Sequence, residues 1–297
     1  MPRLVECVPN VSEGRRGDVV DRMADAIRSS EGVRLLDQTS DVDHNRSVFT
    51  YAGEPEPVLA ATHALVDVVY REVDMRTHKG EHPRLGAVDV VPFVPLAGVT
   101  MDECIALAHR FGSEVAQRHS VPVFYYAKAA TRPERVRLPD IRKPEYEGLA
   151  GLLETTHVPD VGPRRLHDTA GAIVVGARPF LIAFNIELDT TELKLAQQIA
   201  KEIRESSGGL PAIQAKGFML TDPPRAQVSM NVLDFTVTSL SRVWREVESR
   251  ARAAGVNVLR GELIGLIPLD AALQVAADAL KLEGFTRDRV IETRFLE

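Results

Sequence analysis

The sequence predicts an α+β chain made of two similar units, and three observations carry that expectation. Two segments share one order. LVECVPNVSEGRRGDVVDRMADAIRS reads as an apolar strand, an asparagine, a polar turn and a helix, and FLIAFNIELDTTELKLAQQIAKEIRES repeats it with Asn185 in the place of Asn10. Each half then adds a strand and a helix, followed by more of both. Finally, the sum is β-α-β-β-α-β or close to it, the ferredoxin-like arrangement with helices on one face of a mainly antiparallel sheet. The junction falls near Gly176 to Phe180, giving units 1–178 and 179–297.

The elements follow in order. SVFTYAG, Ser47 to Gly53, is a strand, and Glu56 to Val73 carries helical periodicity. VDVVPFVPL is a strand leading to a helix opened by a capping box, Thr100 with Glu103, before the strand VPVFYYA. Thr131 to Gly171 is rich in Pro, Arg and Gly and reads as an irregular arm, functional or mobile. In the second half, Asp189 with Glu192 resembles a capping box. QVSMNVL sets Gln227, Ser229 and Asn231 against Val228, Met230 and Val232, as a half-buried strand does. SLSRVWREVESRARAAG is a helix, GELIGLIPL a strand and DAALQVAADALKLEG a helix, followed by VIETRFLE.

Composition excludes several classes. At 44% apolar, 26% charged and a net charge of −6, the chain is balanced like a soluble globular protein and offers nucleic acid no global attraction. No apolar run is long enough for a membrane span. MPRLVECVPN lacks a signal-peptide layout. Two cysteines, Cys7 and Cys104, imply neither a disulfide framework nor a cysteine metal site, and a reducing cytoplasm fits.

THKGEHPRLG contains H-x-x-E-H, a zinc-peptidase pattern that works only when a helix brings His78 and His82 to one ion. Gly80 weakens a helix there, and His82 precedes Pro83, which pushes it out of the α region. The expectation is a loop without metal.

LVECVPNVSEG, DHNRSVFTYAG, HKGEHPRLGAVDVVPFVPL, GARPFLIAFNIEL, AQVSMNVLDF and GELIGLIPL follow one another as they do in glutamate formimidoyltransferases. The chain resembles that family along essentially its whole length. The resemblance implies a cytoplasmic enzyme of histidine degradation and one-carbon metabolism. It moves a formimidoyl group from N-formimidoyl-L-glutamate to N5 of tetrahydrofolate, the acceptor substrate. It also implies two ferredoxin-like subdomains flanking a substrate cleft, and a homodimer. Animal members carry an additional cyclodeaminase domain, so here a separate protein is expected to act downstream. Formyl transfer from N-formyl-L-glutamate stays open beside it, as does the zinc hydrolase from another class.

In this reaction N5 loses a proton and the departing glutamate nitrogen gains one, which a single group with pKa near 7 can do in turn. The family's catalytic histidine transfers to His82. Relatives place an acidic residue shortly after the strand ending at Asp37. Asp41 or Asp43, or neither, fills that part here, and Asp41 is preferred. His78 tunes His82, contacts substrate or is solvated, and Glu81 orients a ring or pairs with a cation. Arginine suits the carboxylates of donor and folate. Arg46, Lys79, Arg84 and Arg178 are the cationic candidates, with Arg46 and Arg84 ranked first. Asn10, Ser12, Glu13 and Gly14 form a turn whose N–H groups bind an anion, unless Ser12 simply caps the helix. Asn45 is a further polar candidate. The family's folate segment matches Pro163 to Ala172, where Arg164, Arg165 and Asp168 depart from the more neutral pattern expected. Gly171 and Gly176 would allow a flat ring to approach the backbone. Asn185, Gln227 and Asn231 complete the binding set, unless the polar face of QVSMNVL simply meets solvent. The remaining histidines, His44 included, are assigned no chemistry.

Overall fold

A computed structural model of the chain describes residues 2–80 and 82–296, with backbone only for 295 and 296. The fold is α+β, with two sheets and two compact units, Met1–Arg178 and Pro179–Glu297.

The first unit runs β1 (Leu4–Cys7), β2 (Asn10–Val11), α1 (Gly17–Arg28), β3 (Val33–Asp41), β4 (Arg46–Gly53), α2 (Pro55–Glu72), β5 (Val88–Ala97), α3 (Met101–His119) and β6 (Val123–Ala127). Two short helices, α4 (Leu138–Arg142) and α5 (Glu145–Leu149), then precede β7 (Ile173–Ala177). β1 and β2 both lie between β4 and β5, as one strand interrupted at Val8 and Pro9. Beyond β5 come β7 and β6, paired in parallel.

Strand alternation feeds two cores. Val91, Phe93, Val123, Tyr125, Ile173 and Val175 pack with the apolar faces of α1, α2 and α3. Their neighbours Val90, Phe124, Tyr126 and Val174 point the other way and meet Ile141, Leu149 and Leu153. The arm expected to be irregular is therefore a structured cover over the second sheet face. Ile141, Leu149 and Leu153 are spread among so many prolines, arginines and other polar residues that no continuous apolar stripe shows.

Two boundaries also differ from expectation. β3 does not end at Asp37 but stays paired with β4 as far as Asp41↔Arg46, so the polar stretch Gln38 to Asp41 is strand. The Thr100–Glu103 capping box is formed in both directions. That expected from Asp189 is not, because the Asp189 N–H donates to Asn257 O at 2.8 Å and the helix begins only at Leu193.

The second unit runs β8 (Ile182–Leu188), α6 (Leu193–Ile203), β9 (Ile213–Thr221), β10 (Pro224–Val232), α7 (Leu240–Ala253), β11 (Val258–Ile264), α8 (Leu269–Leu280) and α9 (Ile291–Leu296). Its sheet order is β11-β8-β10-β9, antiparallel throughout. Ile182, Ile186, Val228 and Met230 pack with Ile199 and Val247 of the helices. Among the described residues no helix is long and apolar enough to cross a membrane.

Candidate active site

The chain between α2 and β5 carries the histidines, and it is tied down at both ends. Met75 N–H donates to Thr169 O at 2.8 Å, and Ala87 N–H to Ala170 O at 2.8 Å. Gly86 makes this possible, because a Cβ there would lie 2.1 Å from Ala172 O. Ser12 adds a tie from β2, its Oγ donating to Gly86 O at 2.8 Å. Residues 78–80 and 82 lie outside any helix, so the i, i+4 geometry that a zinc helix needs is not formed. Glu81 lies outside the described residues.

A second segment, the turn between β3 and β4, meets this loop through Asn45. Its backbone is left-handed (φ 47°), a conformation asparagine tolerates better than most residues. The side chain uses both ends, accepting from Gly14 N–H at 3.0 Å and donating to Lys79 O at 3.0 Å. Its carbonyl accepts from His78 Nε2 at 3.0 Å. That bond places the His78 proton on Nε2, and Nδ1 accepts from Arg84 Nε at 3.3 Å. Arg84 is buried and grips Glu147 of α5 with both terminal nitrogens, at 2.9 and 2.6 Å.

At the centre, Arg46 Nη1 lies 2.5 Å from His82 Nε2. A guanidinium only donates, so Nε2 accepts and the ring is neutral with its proton on Nδ1. That Nδ1 is buried and has no partner among the described residues. Burial first, then the charges of Arg46 and Arg142 and the neighbouring His44, draw the His82 pKa down to about 3. Arg142 arrives from the arm and ion-pairs with buried Asp89 of β5. The Asp89 carboxylate also accepts from Leu85 N–H at 2.9 Å. His44 stands edge-on to His82, ring centroids 6.2 Å apart. A small pocket is lined by Ser12, His44, Asn45, Arg46, His78, His82, Arg84 and Asp89. A neutral imidazole beside two guanidiniums suits an anionic substrate and a proton to be removed.

Against the residues singled out from sequence, the structure gathers Ser12, Asn45, Arg46, His78, His82 and Arg84 at this pocket. Several hold the protein together there. The Ser12–Gly14 turn does not offer free N–H groups to an anion. Ser12 N–H donates to Ala87 O, Gly14 N–H to Asn45, and Glu13 takes the N–H groups of Arg15 and Arg16 at 2.9 Å. Glu13, not Ser12, thus serves the start of α1. Asp41 does not touch His82. It binds His44 twice, at 2.8 Å to the backbone N–H and 3.0 Å to Nδ1. Lys79 is exposed, and its part is its carbonyl. Asn10 donates to Val8 O at 3.2 Å within its own strand turn.

Gly171 and Gly176 are required by protein packing. A Cβ at Gly176 would meet the Tyr126 ring at 2.4 Å, and Gly171 (φ +74°) lies against Leu85 O. Pro163 is half-buried beside the turn at Gly162. Arg178 donates its N–H to Phe93 O, and its charge tempers the burial-raised pKa of Glu6 and Tyr126. In the second unit, Asn185 and Gln227 converge on Glu262 at 3.0 and 3.4 Å, on the sheet face opposite α6 and α7. Asn231 follows on the same strand face.

Sequence reasoning missed His44, Asp89, Arg142 and Glu147. Adjacency to Asn45 and Arg46 was the one signal available for His44. Arg142 and Glu147 lie roughly sixty residues from the histidine loop, with no local pattern to mark them.

Comparison with known proteins bears on the family resemblance. The formiminotransferase domain, N-terminal subdomain, matches residues 4–178, and the formiminotransferase domain matches residues 183–286. The chain belongs to the formiminotransferase family. It is 43% identical over its full length to the whole of a glutamate formimidoyltransferase of Streptococcus pyogenes serotype M1. A second protein of that name, from Thermoplasma acidophilum, is 40% identical over 98% of this chain and 97% of its own. The formimidoyltransferase-cyclodeaminase of Rattus norvegicus is 44% identical over 93% of this chain, which corresponds to 52% of the longer relative.

Proposed function

We propose that this protein transfers the formimidoyl group of N-formimidoyl-L-glutamate to N5 of tetrahydrofolate, releasing L-glutamate as a step of histidine degradation. The observation that carries the reading is the end-to-end match, at 43% identity, to a relative of that name. The site supports it chemically. His82 is neutral and so able to take the N5 proton, with Arg46 against it to receive a donor carboxylate. A carboxylate that draws Arg46 away removes one charge that depresses His82, so basicity rises when the donor binds. Tetrahydrofolate enters as acceptor substrate, and no resident metal has a part.

The two units are read as N- and C-terminal transferase subdomains of ferredoxin-like type, meeting at 178/179. The second unit's β-α-β-β-α-β order and β11-β8-β10-β9 sheet support this. A soluble cytoplasmic homodimer belongs to the same reading. Leu259, Leu263 and Ile264 on edge strand β11, with Leu269, Val275 and Leu280 on α8, are exposed apolar residues that self-association would cover.

The test is a transfer assay with tetrahydrofolate and each donor in turn, N-formimidoyl- and N-formyl-L-glutamate, with and without a chelator. Acid converts the expected product to the ultraviolet-absorbing methenyl form. Product only from the formimidoyl donor, unaffected by chelation and lost in His82→Ala, is the expected result. No product from either donor rejects the reading, and product from the formyl donor alone reassigns it.

A further inference from the structure

We infer that His44, held by Asp41, is the acid that protonates the departing glutamate nitrogen, leaving His82 only the proton of the attacking amine. The inference rests on the transfer reading above and divides between two histidines the work one was expected to do.

The geometry of the turn carries it. Asp41 accepts the His44 backbone N–H at 2.8 Å through one carboxylate oxygen and meets Nδ1 at 3.0 Å through the other. Although burial pushes the Asp41 carboxyl up, these bonds from His44 hold it below its usual range, so it is a carboxylate facing an N–H. Nδ1 therefore carries a proton directed at Asp41, and Nε2 is the position left for exchange with a substrate. A carboxylate on the far nitrogen orients an imidazole and fixes which nitrogen is left to face a substrate. The backbone beneath is fixed as well, because buried Asn45 is bonded on both sides in its left-handed conformation.

His44 and His82 line one pocket, centroids 6.2 Å apart and planes at 64°. The attacking and departing nitrogens are substituents of one tetrahedral carbon, so two rings this close can each meet one of them. His82 is unsuited to both tasks. With Arg46 donating to its Nε2, it enters the cycle as a base with no proton on that nitrogen. His44 is half-exposed and can refill from water.

The step balances. The N5 lone pair forms the N5–C bond while the C=N pair moves onto the amidine nitrogen. His82 takes the N5 proton. That nitrogen's pair re-forms C=N as the bond to the glutamate nitrogen breaks, and His44 supplies the proton that nitrogen needs. Solvent then deprotonates His82 and reprotonates His44, so no proton is consumed.

The test compares two donors. N-formimidoyl-L-glutamate has an alkylamine leaving group that needs a proton. N-(4-carboxyphenyl)formamidine keeps a carboxylate but releases a weakly basic aromatic amine. His44→Asn is expected to lower kcat on the first donor about 100-fold, with KM little changed, and on the second less than about 10-fold. Asp41→Asn should show the same donor dependence at smaller size. His82→Ala should fail on both. Equal losses on the two donors, or no loss on the first, would overturn the assignment to His44. Wild-type protein inactive with both donors would reject the transfer reading itself, a distinguishable result. Circular dichroism melts of each variant separate chemistry from misfolding.

Discussion

His82 has consequences for stability as well as chemistry. Its unfolded-state pKa is about 6.5 and its folded value about 3, so below pH 6.5 the unfolded chain takes up a proton that the folded protein refuses. Its contribution is fully present above about pH 6.5 and is lost as pH falls toward 3, at about 1.4 kcal/mol per pH unit. Thermal melts at pH 7 and pH 4.5 should show a smaller drop in Tm for His82→Gln than for wild type. An equal drop would mean that His82 is already protonated in the folded state. Asn45 is a different case, since no titration is involved. Asn45→Ala removes bonds to Gly14 and Lys79 and leaves a left-handed alanine. A loss of about 2–3 kcal/mol in urea unfolding is expected, at about 1 kcal/mol per bond plus backbone strain. Asn45→Gly, which relieves the strain, should recover part of it.

Between elements, backbone contact does the positioning. The histidine loop lies against the end of the arm with no room for a side chain at Gly86, where a Cβ would fall 2.1 Å from a carbonyl. Gly86→Ala should therefore destabilise by several kcal/mol, read as a lower urea midpoint, and should lower activity with it. An unaltered midpoint would show that the loop can move away from the arm. Edge strand β11 makes a separate statement. In VLRGELI, antiparallel pairing with a second copy about Gly261 sets Arg260 opposite Glu262 on both sides and Leu259 opposite Leu263. Arg260→Glu and Glu262→Arg are each expected to give monomers, and mixing the two should restore dimers, read by light scattering. Dimers in both single variants would place self-association elsewhere.

The two units are separate in the chain and have separate cores. Residues 179–297 expressed alone should melt cooperatively, because their four strands and packed helices bury their own apolar faces. A broad, non-cooperative melt would show dependence on the first unit. What was legible in sequence follows from local rules. Periodicity and caps located α2, α3 and β10, and the repeated strand–turn–helix order disclosed two units before any contact was known. The helix breakers Gly80 and Pro83 already opposed a zinc helix. An unusual motif string carried the family and His82. The arm was legible only as composition. Ile141, Leu149 and Leu153 are too few and too widely separated by polar residues and proline to betray that they cover a sheet face. Nor could the sequence say that Arg84 answers Glu147, that Arg142 answers Asp89, or that Asp41 serves His44 rather than His82. By itself, then, the sequence determined the fold class, the repeat and the residue types of the chemistry, because these depend on neighbours a few positions apart. Partner choice and protonation were decided only by the tertiary structure, since burial and charge at His82 are set by groups from β4, the β3–β4 turn and the arm, brought together only when the chain folds.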